Sequence, residues 1–192
     1  LIQAVRLGLP VAFANAYPAS WSAGRGPRWM AAPPLAARAA GLLNRHHRHL
    51  ERGEAVASEI VNAGWRQGLG HHELPEVTPR QAGRTLGTLA AGHTLTFFAH
   101  YRTDSVGHDA DPRACVEALQ RVDAFLGGIL ETLPPDHHVV VCSDHGNIED
   151  LSERGHTTNP ALGLVLGGDA AARAAHMSSL LDVTPVILDW LR

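Results

Sequence analysis

The residues of this chain that could do chemistry lie in three short segments. Segment 103–108 reads TDSVGH, segment 143–147 reads SDHGN, and segment 155–159 reads GHTTN. Together they supply two carboxylates and three imidazoles, from Asp104, His108, Asp144, His145 and His156. Carboxylate and imidazole ligands without a thiolate are typical of zinc and manganese sites. The segments therefore predict a site for divalent metal ions.

The first two segments follow predicted strands. Apolar runs at residues 95–101 and 139–142 each end just before an Asp and a His, and residues 162–166 form a third run. Ligands of parallel α/β sheets bind beyond the carboxyl ends of the strands. We therefore expect both Asp–His pairs at one edge of a sheet, with His156 on a loop that folds back to it.

Helices alternate with these strands. Thr78 and Pro79 predict an N-cap and first helical position for a helix to about residue 91. Apolar residues spaced by three and four predict a helix over residues 112–133, and Asp182 is expected to cap a final helix over 183–191. The alternation indicates an α/β fold with a mostly parallel sheet.

The N-terminal half carries weaker signals. Residues 11–14 predict a strand, residues 17–34 a long irregular loop, and residues 34–43 a helix. His46, His47 and His49 alternate with arginines, which would repel a metal ion, so a solvated polar stretch is the better interpretation. His71 and His72, in a glycine-rich loop, receive the same interpretation.

Turn formation is the alternative explanation for the three segments. An Asp after a strand commonly caps or forms a turn, and Gly107 and Gly146 favour turns at both places. A single His is also more often a surface or core residue than a ligand. Five such residues near predicted strand ends are harder to explain in this way, which favours the metal site.

Composition excludes several classes of partner. The net charge is −3, and 45% of the residues are hydrophobic and 18% charged, as in ordinary globular proteins. Without a basic run, nucleic acid and anionic membranes are not expected partners. No apolar stretch reaches the roughly 18 residues of a membrane helix, and we expect a cytoplasmic protein. Cys115 and Cys142 are expected to be buried, reduced thiols.

Segments TDSVGH, SDHGNIED and GHTTNP strongly resemble the alkaline phosphatase superfamily, and most closely its branch of cofactor-independent phosphoglycerate mutases and related metalloenzymes. The resemblance runs from about residue 94 to the C-terminus, where residues 182–188 look like the usual last helix of that superfamily. It implies a three-layer α/β sandwich of the alkaline phosphatase type. Residues 94–192 would be the ligand-bearing core of a single domain over residues 1–192, and residues 15–77 a loop-rich or cap-like insertion.

The resemblance also implies two divalent metal ions, manganese or zinc. Asp104, His108 and His156 match the ligands of one ion, and Asp144 and His145 match ligands of the other. Asn147 and Asn159 are candidates for holding turns or orienting these ligands.

The chain departs from the family pattern in its N-terminal part. Family members need an Asp-ended first strand and a Ser or Thr nucleophile at a helix start, and Ser20, Ser22 and Thr78 do not have that setting. We therefore expect an N-terminally incomplete fold, whose missing part is supplied by the same polypeptide or by a complementing chain. This chain alone is expected to be inactive.

The expected activity of the complete protein is phosphoryl transfer on a small phosphate ester. A metal-dependent phosphatase or phosphodiesterase is the favoured interpretation, because the mutase branch carries a large inserted domain for which residues 15–93 leave little room. A phosphomutase of the phosphoglycerate mutase type is one alternative. A non-catalytic metal-binding or structural remnant is the other.

Overall fold

The computed structural model describes residues 1–24 and 27–191. Arg25 and Gly26, within the irregular loop predicted over residues 17–34, lie outside the described residues, as does Arg192. The chain separates into two compact units, one of Leu1–Arg102 with Leu119–Leu133, the other of Thr103–Ala118 with Pro134–Arg192. The single domain expected over residues 1–192 stays a prediction.

The described elements alternate between helices and short strands. The helices are α1 (Ile2–Arg6), α2 (Ala19–Ser22), α3 (Ala32–Ala39), α4 (His47–Glu51), α5 (Pro79–Ala91), α6 (Arg102–Asp109), α7 (Pro112–Thr132), α8 (Ala170–Ala174) and α9 (Leu180–Trp190), with a π-helical turn at Gly64–Gly68. The strands are β1 (Val11–Phe13), β2 (Leu95–Phe97), β3 (Val139–Cys142) and β4 (Gly163–Leu166). In the described part of the chain, no helix is both long and apolar enough to cross a bilayer.

The first unit contains a parallel pair of strands. β1 and β2 pair with Val11 opposite Leu95 and Phe13 opposite Phe97. The core beside them is aliphatic and aromatic, and its buried members are Ala14, Val56, Ile60, Ala82, Leu86, Phe125 and Ile129. Side chains from α5 and α7 therefore close one core of this unit.

Helix α5 begins as the sequence predicts. The Gln81 backbone N–H donates to the Thr78 hydroxyl at 3.2 Å, and the Thr78 N–H donates to the Gln81 side-chain oxygen at 2.8 Å. This reciprocal capping satisfies two N–H groups that the first helical turn leaves without partners. The predicted N-cap at Thr78 is confirmed.

Two polar side chains are enclosed in the first unit beyond β1 and β2. Asn15 donates to the Ala99 carbonyl at 2.7 Å and accepts from the Ala99 N–H at 2.8 Å. The Nδ1 of His100 lies 2.8 Å from the Ser58 carbonyl, while its Nε2 is buried without a hydrogen-bond partner among the described residues. Burial, reinforced by the charges of Arg121 and Arg102, lowers the pKa of His100. The imidazole is therefore held in its neutral form.

Replacing His100 by asparagine is expected to weaken the pH dependence of stability. The folded-state pKa of His100 is lowered, so its neutral form favours folding above the unfolded pKa of about 6.5 and that contribution is lost as the pH falls. Urea unfolding of the wild type at about pH 7.5 and about pH 5.5 should show a decrease in unfolding free energy. The decrease should be smaller in His100→Asn, although His46 and His49, whose pKa values are also lowered, retain part of it. Equal decreases in both proteins would contradict this assignment.

The second unit contains an antiparallel pair of strands. β3 pairs with β4, with Val139 opposite Leu166 and Cys142 opposite Gly163. The described strands thus form one parallel and one antiparallel pair, so the mostly parallel sheet is found only in part.

The apolar strands of this unit are less buried than predicted. β3 was expected to be buried on both faces, yet Cys142 is exposed, whereas Cys115 is buried as expected. The alternating residues Leu162, Leu164 and Leu166 are 58%, 42% and 40% exposed. One apolar face of this strand pair is therefore exposed to solvent.

The last helix begins earlier than predicted. Ser179, rather than Asp182, is the N-cap of α9, and Asp182, the third residue of the helix, completes a capping box with it. The Asp182 carboxylate accepts hydrogen bonds from the backbone N–H groups of Ser178 and Ser179 at 2.8 and 2.9 Å. Asp182 therefore stabilises the helix start from within the first turn. The helix begins about one turn before the predicted start at residue 183.

Candidate metal centre

Helix α6 carries two of the predicted ligands on one face. Asp104 and His108 are four residues apart, so their side chains lie one above the other, with His108 Nε2 3.3 Å from Asp104 Oδ1. Val106, on the same helix, is fully buried against Cys115 and Ala118. The prediction that Asp104 and His108 directly follow a strand end is wrong, because β2 ends at Phe97 and residues 102–109 form this anchored helix.

The loop after β3 carries two more of the predicted ligands, Asp144 and His145. The Ser143 hydroxyl donates to the His145 carbonyl at 2.7 Å, and the Ser143 N–H donates to the Leu162 carbonyl at 2.9 Å. These bonds fix the loop as it leaves the strand. The Asp144 carboxylate, 79% exposed, lies 3.5 Å from His145 Nε2. The predicted position of Asp144 and His145 at the end of β3 is confirmed.

A second loop, which precedes β4, brings His156 close to Asp104 and His145. The Thr157 N–H donates to the Gly146 carbonyl at 2.9 Å in an isolated antiparallel bridge. A side chain at Gly146 would overlap the Thr157 hydroxyl. A larger residue at position 146 would therefore force the Thr157 and Glu149 side chains to shift.

Three imidazoles converge on one carboxylate oxygen. The Nε2 atoms of His108, His156 and His145 lie 3.3, 3.4 and 3.8 Å from Asp104 Oδ1. The rings of His145 and His156 stack with centroids 3.5 Å apart. Asp104 Oδ1 is buried and has no hydrogen-bond partner among the described residues. A buried carboxylate oxygen without such a partner is costly, and a divalent cation at this point would satisfy it.

The tautomer of His108 fits metal binding. Its Nδ1 lies 2.6 Å from the Arg154 carbonyl, a distance at which the ring N–H donates to that oxygen. The lone pair of Nε2 then faces Asp104 and the other imidazoles. Metal-bound histidines are commonly held in this way, through a backbone carbonyl on the other ring nitrogen.

One group of ligand atoms is compact enough to bind a single metal ion. Ligand atoms of Asp104, His108 and His156 all lie within 4.8 Å of one another, the one such group of metal-binding side chains in the described residues. Asp144 and His145 form a neighbouring pair. The donors are carboxylate oxygens and imidazole nitrogens, which suit zinc or manganese. Asp104, His108 and His156 therefore fit one divalent ion, and the assignment of Asp144 and His145 to another ion stays a prediction.

The two asparagines occupy different places. Asn147 is 4% exposed, donates to the Gly155 carbonyl at 3.2 Å, and packs so closely on Gly107 that a side chain there would overlap it. It thus joins α6 to both ligand-bearing loops. Asn159 donates to the Glu149 carboxylate at 3.1 Å. Its role in orienting the ligands stays a prediction.

Glu149 is the residue of this centre that the sequence did not single out. It lies in the SDHGNIED segment, four residues after His145. Acidic residues are common on protein surfaces, so its residue type alone does not indicate a role. Its carboxylate accepts hydrogen bonds from both ligand-bearing loops. Its contacts with both loops become evident only when the loops are paired in the fold, and the sequence does not reveal that pairing.

The histidine-rich segment at the start of α4 has structural contacts. The His46 N–H donates to His49 Nδ1 at 3.1 Å, across the start of the helix. The ring of His47 stacks on His71, with centroids 4.4 Å apart. These contacts are consistent with a polar segment that caps and braces a short helix.

Comparison with protein families matches residues 78–192 to the metalloenzyme superfamily. Three similar proteins are 2,3-bisphosphoglycerate-independent phosphoglycerate mutases. The protein from Desulforudis audaxviator is 32% identical over 61% of this chain and 24% of its own length. Those from Paracoccus denitrificans and Hydrogenovibrio crunogenus are 33% and 35% identical over 61% of this chain, and over 25% and 24% of their own lengths.

This chain thus spans about a quarter of the length of the curated relatives it matches. No solved structure matches it. The family match covers both ligand-bearing loops and α6, the elements that bring Asp104, His108 and His156 together. The chain belongs to the metalloenzyme superfamily, as its resemblance to alkaline phosphatase-like enzymes predicted.

Proposed function

We propose that this chain is the metal-binding part of a phosphoryl-transfer enzyme that acts on a small phosphate ester. The observation that carries the proposal is the convergence of three imidazole Nε2 atoms, within 3.8 Å, on the buried Asp104 Oδ1. Asp104, His108 and His156 would hold one divalent ion, and Asp144 and His145 would contribute to the other.

The charge of these residues suits a phosphate ester. The two carboxylates of Asp104 and Asp144 would leave a pair of divalent ions partly unneutralised. A bound anion completes such a balance, so the centre favours a phosphoryl group over a neutral substrate. Divalent ions held by these residues would supply positive charge that stabilises a transferred phosphoryl group.

The chain's own residues pre-organise this centre. The Arg154 carbonyl holds His108 Nδ1 at 2.6 Å and leaves Nε2 free to bind an ion. Asn147 fixes the spacing between α6 and the loop of His156 through Gly107 and Gly155. These contacts are made by the chain's own residues and would hold the ligand side chains in place for an ion.

A nucleophile and a further carboxylate would come from a segment other than the residues described here. We propose that this segment belongs to the same polypeptide or to a complementing chain. The open apolar face of Leu162, Leu164 and Leu166 on the β3–β4 pair is a surface that such a segment would cover. The Ser or Thr that it supplies would attack phosphorus beside Asp144 and His145, the hydroxyl losing its proton as the bond from phosphorus to the substrate's oxygen breaks and the dephosphorylated substrate leaves.

Two outcomes of the transfer are possible, and different observations favour them. The names of the relatives favour a phosphomutase, which returns the phosphoryl group to another oxygen of the substrate. The short span available for an inserted domain favours a hydrolase. Assays of the complete protein for phosphoglycerate isomerisation and for phosphate release from p-nitrophenyl phosphate distinguish them. A cytoplasmic location stays a prediction.

The complete protein is expected to bind about two divalent ions, because its ligands form two groups. Elemental analysis after gel filtration in the presence of manganese or zinc measures the stoichiometry. The Asp144→Ala variant should retain about one ion, since the group of Asp104, His108 and His156 is untouched. Absence of bound metal, with no gain of activity when manganese or zinc is added, would contradict the proposed function.

A further inference from the structure

One carboxylate outside the ligand set joins the two ligand-bearing loops. Glu149 Oε2 accepts a hydrogen bond from the Asn147 N–H at 2.6 Å, on the loop of Asp144 and His145. Glu149 Oε1 accepts from the Thr157 hydroxyl and, at 3.1 Å, from the Asn159 amide, both on the loop of His156. Each oxygen of one side chain therefore serves a different loop.

Few other contacts hold these loops together. Within the described residues, their backbones pair through the isolated bridge between Gly146 and Thr157, and Asn147 adds a side-chain bond to the Gly155 carbonyl. Neither loop has a regular element of its own in this region. In the part of the chain that the structure describes, the Glu149 carboxylate thus accepts two of the four hydrogen bonds that join the loop of His145 to the loop of His156.

The contacts require an ionised carboxylate. Three donors point at its two oxygens, and a carboxylate accepts such bonds more strongly than a neutral group does. The hydrogen bond from Thr157, together with bonds from backbone N–H groups, lowers the pKa of Glu149 to about 2. The side chain is exposed, and it remains charged at neutral pH.

We propose that Glu149 is a positioning residue, which ties the loop of Asp144 and His145 to the loop of His156 so that both ion sites form together. The inference rests on the proposed metal centre. Glu149 contributes no ligand atom to the group of Asp104, His108 and His156. It acts through the loops, and its loss should weaken metal binding while the ligands themselves remain.

The Glu149→Gln variant tests this role with little change of shape. A carboxamide has one acceptor oxygen and one donor nitrogen, so it can accept from one loop but presents N–H groups to the donors of the other. Loss of a partner that orients metal ligands lowers metal affinity by about 10–100-fold. We expect a decrease of that size in Mn²⁺ affinity, measured by titration of the complete protein.

Glu153→Gln is the matched control. Glu153 Oε1 accepts from the Gly155 N–H at 2.9 Å, a bond within the loop of His156. This variant loses one carboxylate from the same segment without separating the loops, so its Mn²⁺ affinity should stay within about threefold of the wild type. The visible spectrum of bound Co²⁺ adds a readout of ligand geometry, which should change in Glu149→Gln and not in the control.

The outcomes separate this proposal from the proposed function. Wild-type protein that binds neither Mn²⁺ nor Zn²⁺ overturns both. Wild-type binding with an unchanged affinity and Co²⁺ spectrum in Glu149→Gln overturns only the positioning role, as does an equal loss in both variants. If Glu149→Gln does not fold, Thr157→Val removes one side of the contact, and unchanged Mn²⁺ affinity there overturns the proposal.

Discussion

If the complete protein has the proposed phosphoryl-transfer activity, replacing His108 by alanine is expected to lower its turnover by more than about 100-fold. Loss of a residue that only orients a metal ligand costs about 10–100-fold, and loss of a ligand itself should cost more. His108 Nε2 lies 3.3 Å from Asp104 Oδ1, within the group of side chains that can bind one ion. Its removal would leave two of the three side chains that could hold an ion there. The site would then bind a divalent ion more weakly, and a transferred phosphoryl group would lack the positive charge that stabilises it.

Turnover by His108→Ala should be compared with that of His176→Ala, a histidine exposed in the same unit. The control should retain wild-type activity. Asp144→Ala, which removes a ligand of the other ion, should lose activity to a similar degree, whereas Asp123→Ala on the exposed side of α7 should not. Circular dichroism should show the same fold in all four variants. Wild-type turnover in both His108→Ala and Asp144→Ala would refute the metal centre.

The strands and caps with strong local signals could be predicted from the sequence. β3 spans Val139–Cys142 as its continuous apolar run indicates, and the Thr78-Pro79 pair begins α5. The helix predicted over residues 112–133 agrees with α7, which ends one residue earlier, at Thr132. In each case residues close in sequence determine the conformation.

Tertiary contacts decided the elements that were predicted incorrectly. Residues 95–101 were predicted as one strand leading to the Asp104–His108 segment, yet β2 ends at Phe97 and residues 102–109 form α6, in which Gly107 packs against Asn147. The family resemblance gave the identities of the ligands but not the helix that presents Asp104 and His108. Glu149 could not be recognised at all, since its partners Thr157 and Asn159 come from a loop that only folding brings near.

Adjacent glycines in α7 are expected to respond to alanine with opposite signs. A side chain at Gly128 would overlap the Arg80 carbonyl and lie 3.0 Å from the Arg84 nitrogen, both backbone atoms of α5. At Gly127 nothing lies within 4 Å of the added carbon. Gly127→Ala should therefore stabilise the protein by about 0.5–1 kcal/mol, the gain in helix propensity. Gly128→Ala should destabilise it, because overpacking against backbone costs about 1–3 kcal/mol or more.

Urea unfolding of the two variants measures this difference directly. They share composition, helix and change in propensity, so the gap between their unfolding free energies isolates the contact of α5 with α7. Gly83→Ala provides a second test from the α5 side, where the added carbon would overlap the Phe125 carbonyl and lie 2.9 Å from the Ile129 nitrogen. Since these clashes are with backbone atoms, the helices must separate to relieve them, and the core around Phe125 and Ile129 would open. Equal stabilities of Gly127→Ala and Gly128→Ala would show that α5 and α7 do not pack this closely.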